Sequence, residues 1–241
     1  MSSAIERREL LKAVYEEARG CVRCQLHQTR TQVVFGSGNA DADLMFVGEA
    51  PGANEDRLGL PFVGQAGKLL DKLLNEIGLE RADVFICNVL KCRPPGNRDP
   101  QPNEIESCHS YLASQVELLE PNLICTLGNF STKLLRGDST GISRVHGQAQ
   151  EQMLGSRAVR LYPLYHPAAA LYTPSTLEAL RADFHRIPEL LALGALDQPE
   201  VVPPVPEPEE APPEPEPEPE PEREQTRAHD AVPEPAQLGL F

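Results

Sequence analysis

The 241 residues carry 36 acids against 22 lysines and arginines, a net charge of -14, and 40% are hydrophobic. Residues 198–241 alone hold twelve acids and two arginines, a net of -10, so the first 197 residues stand at only -4. That balance excludes a domain that is basic throughout and leaves room only for a local cationic surface. The chain also lacks the uninterrupted apolar run of about 18 residues that a membrane span needs.

The N-terminus has no apolar signal-peptide core, so the expectation is a soluble, cytoplasmic chain with no membrane partner. Leu10, Leu11, Val14 and Ala18 share one face of a helix predicted over 5–19, which Gly20 stops. Cys21 and Cys24 follow at once. Residues 35–39 read as a turn before a buried strand at 44–47. A glycine-rich loop over 48–67 then carries Glu49, Glu55 and Asp56. It matches neither of the usual phosphate-binding glycine motifs.

Ala66, Leu69, Leu70, Leu73, Leu74 and Ile77 recur at helical spacing, with Gly78 as the stop. A second strand at 84–90 runs into Lys91, Arg93 and Arg98, three cations within eight residues and the best candidate for a local cationic surface. Pro102 suits the first turn of a helix burying Ile105, Cys108, Leu112, Val116 and Leu119. A third strand at 123–127 precedes a short helix with Phe130, Leu134 and Leu135. A fourth, at 158–164, ends in Tyr165-His166-Pro167, and Ser175 with Glu178 forms a capping box for a last helix. Strands alternating with helices predict an α/β fold, three α/β/α layers around a four-stranded parallel sheet.

The expected organisation is a domain over 1–197, a Pro/Glu-rich linker over 198–236 and a short apolar peptide at 237–241. The linker composition cannot bury enough apolar surface to offset its ordering entropy, which predicts disorder. The terminal Gln237-Leu238-Gly239-Leu240-Phe241 reads as a docking peptide on that tether.

Six cysteines occur in a chain with no secretory signal, so packing or metal binding is favoured over disulfides. Cys87 and Cys125 sit inside apolar strands and read as core residues. Cys21, Cys24, Cys92 and Cys108 form a four-thiolate set that, by spacing alone, suits structural zinc and an iron–sulfur cluster equally.

GEAPG at 48–52, PFVGQAG at 61–67, NVLKCRPPGNR at 88–98, the His166-Pro167 pair and the cysteine spacing resemble, in combination, the family 4 uracil-DNA glycosylases. The resemblance covers roughly residues 5–195. It implies excision of uracil from DNA by hydrolysis of the N-glycosidic bond, the first step of base excision repair, by a nucleoid-associated enzyme. It also implies a structural [4Fe-4S] cluster on Cys21, Cys24, Cys92 and Cys108.

By the same resemblance, Gly48, Glu49 and Ala50 border the base pocket, Glu55 faces the C5 edge and Phe62 stacks on the base. Asn88 reads the base edge, since an amide offers a donor and an acceptor together. His166 donates a hydrogen bond as charge develops on the departing base, and Glu49 is the remaining candidate for orienting water or stabilising the sugar, or serves mainly through its backbone. Ala50 stands where other branches carry an aspartate base. Lys91, Arg93, Arg98 and Arg144 are the expected DNA contacts, and Leu171 the wedge. Tyr172-Thr173 follows it where relatives often carry Arg-Asn. Asp56 reads as a loop or helix-end charge and His146 as a solvated histidine.

Gln237, Leu238, Leu240 and Phe241 resemble the pentapeptide that bacterial repair proteins insert into the sliding clamp. The expected assembly state is a monomer. The competing reading is a non-catalytic, metal-containing DNA-binding module tethered to the clamp, which would not require Asn88 or His166.

Overall fold

The structure is a computed structural model that describes residues 4–199. Helix α1 (Ala4–Arg19) comes first, with Leu11 and Ala18 turned inward and Leu10 half-exposed. Strands β1 (Ser37–Gly38) and β2 (Leu44–Gly48), helices α2 (Ala53–Leu58) and α3 (Gln65–Glu76), and strand β3 (Phe85–Asn88) follow. Helix α4 (Pro102–Leu119) leads to β4 (Leu123–Leu127), α5 (Asn129–Arg136) and α6 (Ile142–Val145). The hairpin β5 (Gln150–Leu154) and β6 (Arg157–Leu164) precedes α7 (Pro167–Ala170), α8 (Pro174–His185) and α9 (Ile187–Ala192).

The sheet has six strands in the order β1-β3-β2-β4-β6-β5. Its centre, β3-β2-β4-β6, is parallel throughout, as the alternating pattern predicts. The count of four is corrected by antiparallel edges at β1 and β5. Neither edge carries the apolar signature of a buried strand: β1 has two residues, Ser37 and Gly38, and β5 alternates between partly buried and exposed. The capping box is also corrected. Thr173 is the N-cap of α8, and Ser175 lies inside its first turn.

Side chains along the central strands alternate between two cores, one on each face. Met45, Val47, Cys87, Ile124 and Leu161 pack toward α1 and α4. Leu44, Phe46, Ile86, Cys125, Tyr162 and Leu164 pack toward α3, α8 and α9. Phe46 and Phe184 stack there at 5.8 Å between ring centroids. Truncating a fully buried leucine such as Leu70 or Leu73 to alanine would cost about 2–5 kcal/mol.

This topology directs the site. The chain leaves β2 through α3 to β3 on one side, then crosses over β2 through α4 to β4 on the other. At such a switch the loops beyond the carboxyl ends of the strands diverge and leave a crevice. No described helix is long and apolar enough to cross a membrane. At the far end of the described chain, the Gln198 side chain exchanges hydrogen bonds with the backbone of Ala158 at 3.1 and 3.0 Å.

Candidate active site and four-cysteine cavity

The crevice holds a cavity of about 460 Å³ lined by Glu49, Ala50, Gly52, Glu55, Phe62, Asn88, His166 and Ala168, among others. Gly48 ends β2 and lies in register with Asn88 at the end of β3, while His166 follows β6 by two residues. Three strand ends thus bring together groups far apart in sequence.

Gly48 is dictated by proximity. A Cβ there would stand 2.3 Å from Asn88 Oδ1 and 2.8 Å from Phe62 Cζ. Asn88 is buried at the strand end, and its backbone carbonyl accepts from Lys91 Nζ at 2.7 Å. Its side-chain amide is thereby left to the cavity and the Gly48 contact.

Phe62 has φ of +53°, a left-handed conformation that costs a non-glycine residue about 1–3 kcal/mol. Two sets of hydrogen bonds hold it. Glu55 Oε1 accepts from Val63 N at 2.9 Å and Gly64 N at 3.1 Å. Arg81 donates to the carbonyls of Pro61 (3.1 Å) and Phe62. Glu55 is therefore a brace for the loop as well as part of the cavity wall.

The Phe62 ring stacks on His166 with centroids 5.6 Å apart and planes 27° apart. His166 is the N-cap of α7: its Nδ1 accepts the Ala168 N–H at 3.0 Å. With Nδ1 an acceptor, the ring proton sits on Nε2. Burial pulls the imidazole pKa down to about 4, against a weaker upward pull from Glu55, so the ring is neutral near pH 7. It is a neutral donor of fixed tautomer.

Glu49 is half-buried, and burial followed by the charge of Asp99 raises its pKa. Glu49 and His166 also border a second cavity, shared with Asp99, Asn129 and Lys133.

The cation cluster needs correction. Lys91 is buried, with Nζ donating to Asn88 O and to Gln115 Oε1 at 2.5 Å, so it cannot meet a DNA phosphate. A buried ammonium in this setting serves to satisfy carbonyls. Arg98 lines the main cavity but forks onto buried Glu104 at 2.9 and 2.6 Å, and Arg93 donates to Asn97 Oδ1 at 2.7 Å. Arg144 is exposed, Leu171 is partly exposed and Tyr172 almost wholly so.

His146 is corrected as well. Its Nδ1 lies 2.8 Å from Asp183 Oδ2 and its ring sits 4.4 Å from that of Tyr165, so it is a packed residue. Asp56 is buried and accepts from Thr31 N at 2.9 Å, tying the segment after the first cysteines to α2. Asn97, missed in the sequence, also lines the main cavity. The Pro94-Pro95-Gly96-Asn97 turn composition was the available signal, since asparagine tolerates the left-handed region it adopts there, at φ of +54°.

Cys21, Cys24, Cys92 and Cys108 line one cavity between α1, the segment after β3 and α4, together with Arg30 and Tyr111. Two sulfurs receive N–H donors: Cys92 from Arg30 Nη1 at 3.4 Å and Cys108 from Lys91 N at 3.3 Å. Burial raises both thiols, Cys92 to about 11. Among the described residues, no group of three or more His, Cys, Asp or Glu side chains is arranged to hold a metal ion. The four thiols nevertheless share one cavity, and N–H donors reach two of their sulfurs, which is the kind of donor set a thiolate-bound cluster uses.

The family described as the uracil DNA glycosylase superfamily matches residues 35–187. The chain is similar to a type-4 uracil-DNA glycosylase of Archaeoglobus fulgidus, 48% identical over 186 residues that cover 76% of this chain and 94% of that one. It is similar to another of Thermotoga maritima, 43% identical over 166 residues, covering 68% and 85%. A type-5 uracil-DNA glycosylase of Pyrobaculum aerophilum is 30% identical over 178 residues, covering 66% and 74%.

Proposed function

The chain belongs to the uracil DNA glycosylase superfamily, among its type-4 members, and from that premise we propose how its own residues excise uracil from DNA. It is a uracil-DNA glycosylase, a hydrolase of DNA repair. The observation that carries the residue assignment is the convergence on one cavity of Phe62, from the loop before α3, with Asn88 and His166, which lie at or just beyond the ends of β3 and β6.

A flipped deoxyuridine costs a few kcal/mol of lost stacking and pairing, which the pocket must offset. Phe62 supplies a ring face for the base. The Asn88 amide answers the N3–H donor and O4 acceptor of uracil together. Cytosine reverses that pattern and would leave buried polar atoms unpaired. As the bond between C1′ and N1 breaks, negative charge grows on the base and positive charge on the sugar. The Nε2–H of neutral His166 donates to a base oxygen, a contribution of about 3–4 kcal/mol by analogy with single oxyanion donors. Water adds to C1′, its proton is released, and uracil departs. Half-buried Glu49, which lines the same cavity, orients the water or stabilises the sugar; Ala50 offers no carboxylate. Glu55 closes the C5 edge, with Gly48 and Ala50 as backbone wall.

Cys21, Cys24, Cys92 and Cys108 would hold a [4Fe-4S] cluster, supported by their common cavity and the donors on Cys92 and Cys108. The cluster would supply cross-linking of the N-terminal segment to α4, since hydrolysis needs no electron transfer. Arg93, Arg98, Arg144 and the wedge Leu171 form the DNA-facing set, on a monomer working in the cytoplasm at the nucleoid. The proposed division is a domain over 1–197, a linker over 198–236 and a peptide over 237–241, with Gln198 still bonded to Ala158 of the domain. The clamp peptide, Gln237 to Phe241, lies outside the described residues; its support is sequence resemblance alone.

Uracil-containing single-stranded DNA, treated with the protein and then hot alkali, should break at the uracil. No break with an intact metal site would sink the enzymatic reading. Deleting residues 237–241 should abolish sliding-clamp binding and spare activity on short DNA; retained clamp affinity would refute the docking role.

A further inference from the structure

We propose that Arg81 is a positioning residue for the stacking ring of Phe62, a step that rests on the pocket reading above. The guanidinium projects from the connection between α3 and β3 toward the loop that precedes α3. Its Nε donates to Asp71 Oδ1 on α3, its Nη1 to Pro61 O at 3.1 Å and its Nη2 to Phe62 O. One planar fork thus spans two successive carbonyls, with a carboxylate setting its orientation.

Those carbonyls belong to the strained part of the loop. Phe62 is one of three non-glycine residues with positive φ among the described residues, and its conformation persists only if its surroundings over-determine it. On the amide side, Glu55 fixes Val63 and Gly64. On the carbonyl side, Phe62 O presses into the first turn of α3, where a Cβ on Gly67 would stand 1.7 Å from it. Arg81 is the partner that satisfies this crowded carbonyl. Releasing it lets the Phe62 peptide relax toward ordinary φ, and the ring then swings away from His166 and Gly48. Lysine cannot replace the fork, because one ammonium reaches a single carbonyl well and loses the bidentate geometry.

The test combines three measurements on wild type, Arg81→Ala, Arg81→Lys, Phe62→Ala and the Arg81→Ala/Phe62→Ala double variant. These are inhibition by free uracil, single-turnover excision, and the ¹⁹F spectrum of protein labelled with 4-fluorophenylalanine. The Phe62 signal is assigned by its loss in Phe62→Ala. Arg81→Ala is expected to weaken uracil inhibition and slow excision by about tenfold, with Arg81→Lys between it and wild type. The same change in the Phe62→Ala background should have almost no further effect, because the ring it positions is gone. The Phe62 fluorine signal should move or broaden.

Equal fold losses in both backgrounds would overturn the proposal, as would an unchanged fluorine signal. If Arg81→Ala melts too low to assay, Asp71→Asn carries the same expectation at smaller amplitude, and full additivity with Phe62→Ala overturns it there. Wild-type protein that releases no uracil refutes the enzymatic reading, while the fluorine spectrum still decides whether Arg81 holds Phe62.

Discussion

Gly48 and Asn88 face each other in register across β2 and β3, so closely that a methyl group on Gly48 would stand 2.3 Å from Asn88 Oδ1. The glycine's φ is not left-handed; the missing side chain is what matters. It gives the base-reading amide and the Phe62 ring the space they occupy.

Gly48→Ala should therefore push both groups aside. Single-turnover excision is expected to fall about 100-fold, while stability drops by about 1–3 kcal/mol, as for other overpacked sites. Kinetics under single-turnover conditions and urea unfolding check the two values. Unchanged excision would mean that Asn88 is free to move.

His166 predicts a pH dependence whose sign follows from its depressed pKa. Unfolded protein takes up a proton on this ring below its ordinary value near 6.5, whereas the folded ring resists until about 4. Stability from this group is full above that ordinary value and is lost as pH falls through the window toward 4. His166→Asn should flatten the difference between urea midpoints taken near pH 7 and about pH 5, and should lower excision by about 100- to 1,000-fold. An identical pH slope in wild type and variant would show that the ring is not buried neutral.

Lys91 and Arg144 should separate burial from DNA contact. Lys91→Met leaves Asn88 O and Gln115 Oε1 without their donor and should cost about 1–3 kcal/mol of stability. The salt dependence of DNA binding should not change. Arg144→Ala should leave the melting temperature alone and reduce the slope of log affinity against log salt by about 0.9, the value of one phosphate contact. Fluorescence anisotropy over a salt series reads both. A reduced slope in Lys91→Met would contradict its burial.

Cys108→Ser should remove iron and acid-labile sulfide together, with loss of visible absorbance and a lower melting temperature, because three remaining thiolates no longer close the cavity. Elemental analysis and the absorption spectrum decide. One zinc per wild-type chain and no iron would overturn the cluster.

Composition and periodicity alone determined the parallel centre of the sheet. Apolar runs mark β2, β3 and β4 as fully buried strands and β6 as buried over its last six residues, and a helix follows each. The site motifs were legible because they sit at strand ends, where residues such as Asn88 and His166 break an apolar run. The edge strands were not legible, since β1 is two residues long and β5 owes its pairing to β6 rather than to its own apolar pattern.

Only the tertiary structure decided which charges face solvent. Lys91 and Arg98 look alike beside Arg93 in sequence, yet Lys91 is buried on carbonyls while Arg98 stays partly exposed, paired with Glu104. It also decided the partners of His146 and the brace of Arg81 on Phe62, contacts between segments 37 and 19 residues apart. Side-chain type sets what a group can bond; the packing of distant segments sets what it does bond. The glycine-rich loop shows both, its pattern marking it as a binding loop and its neighbours making Phe62, rather than its acids, the residue it is built to hold.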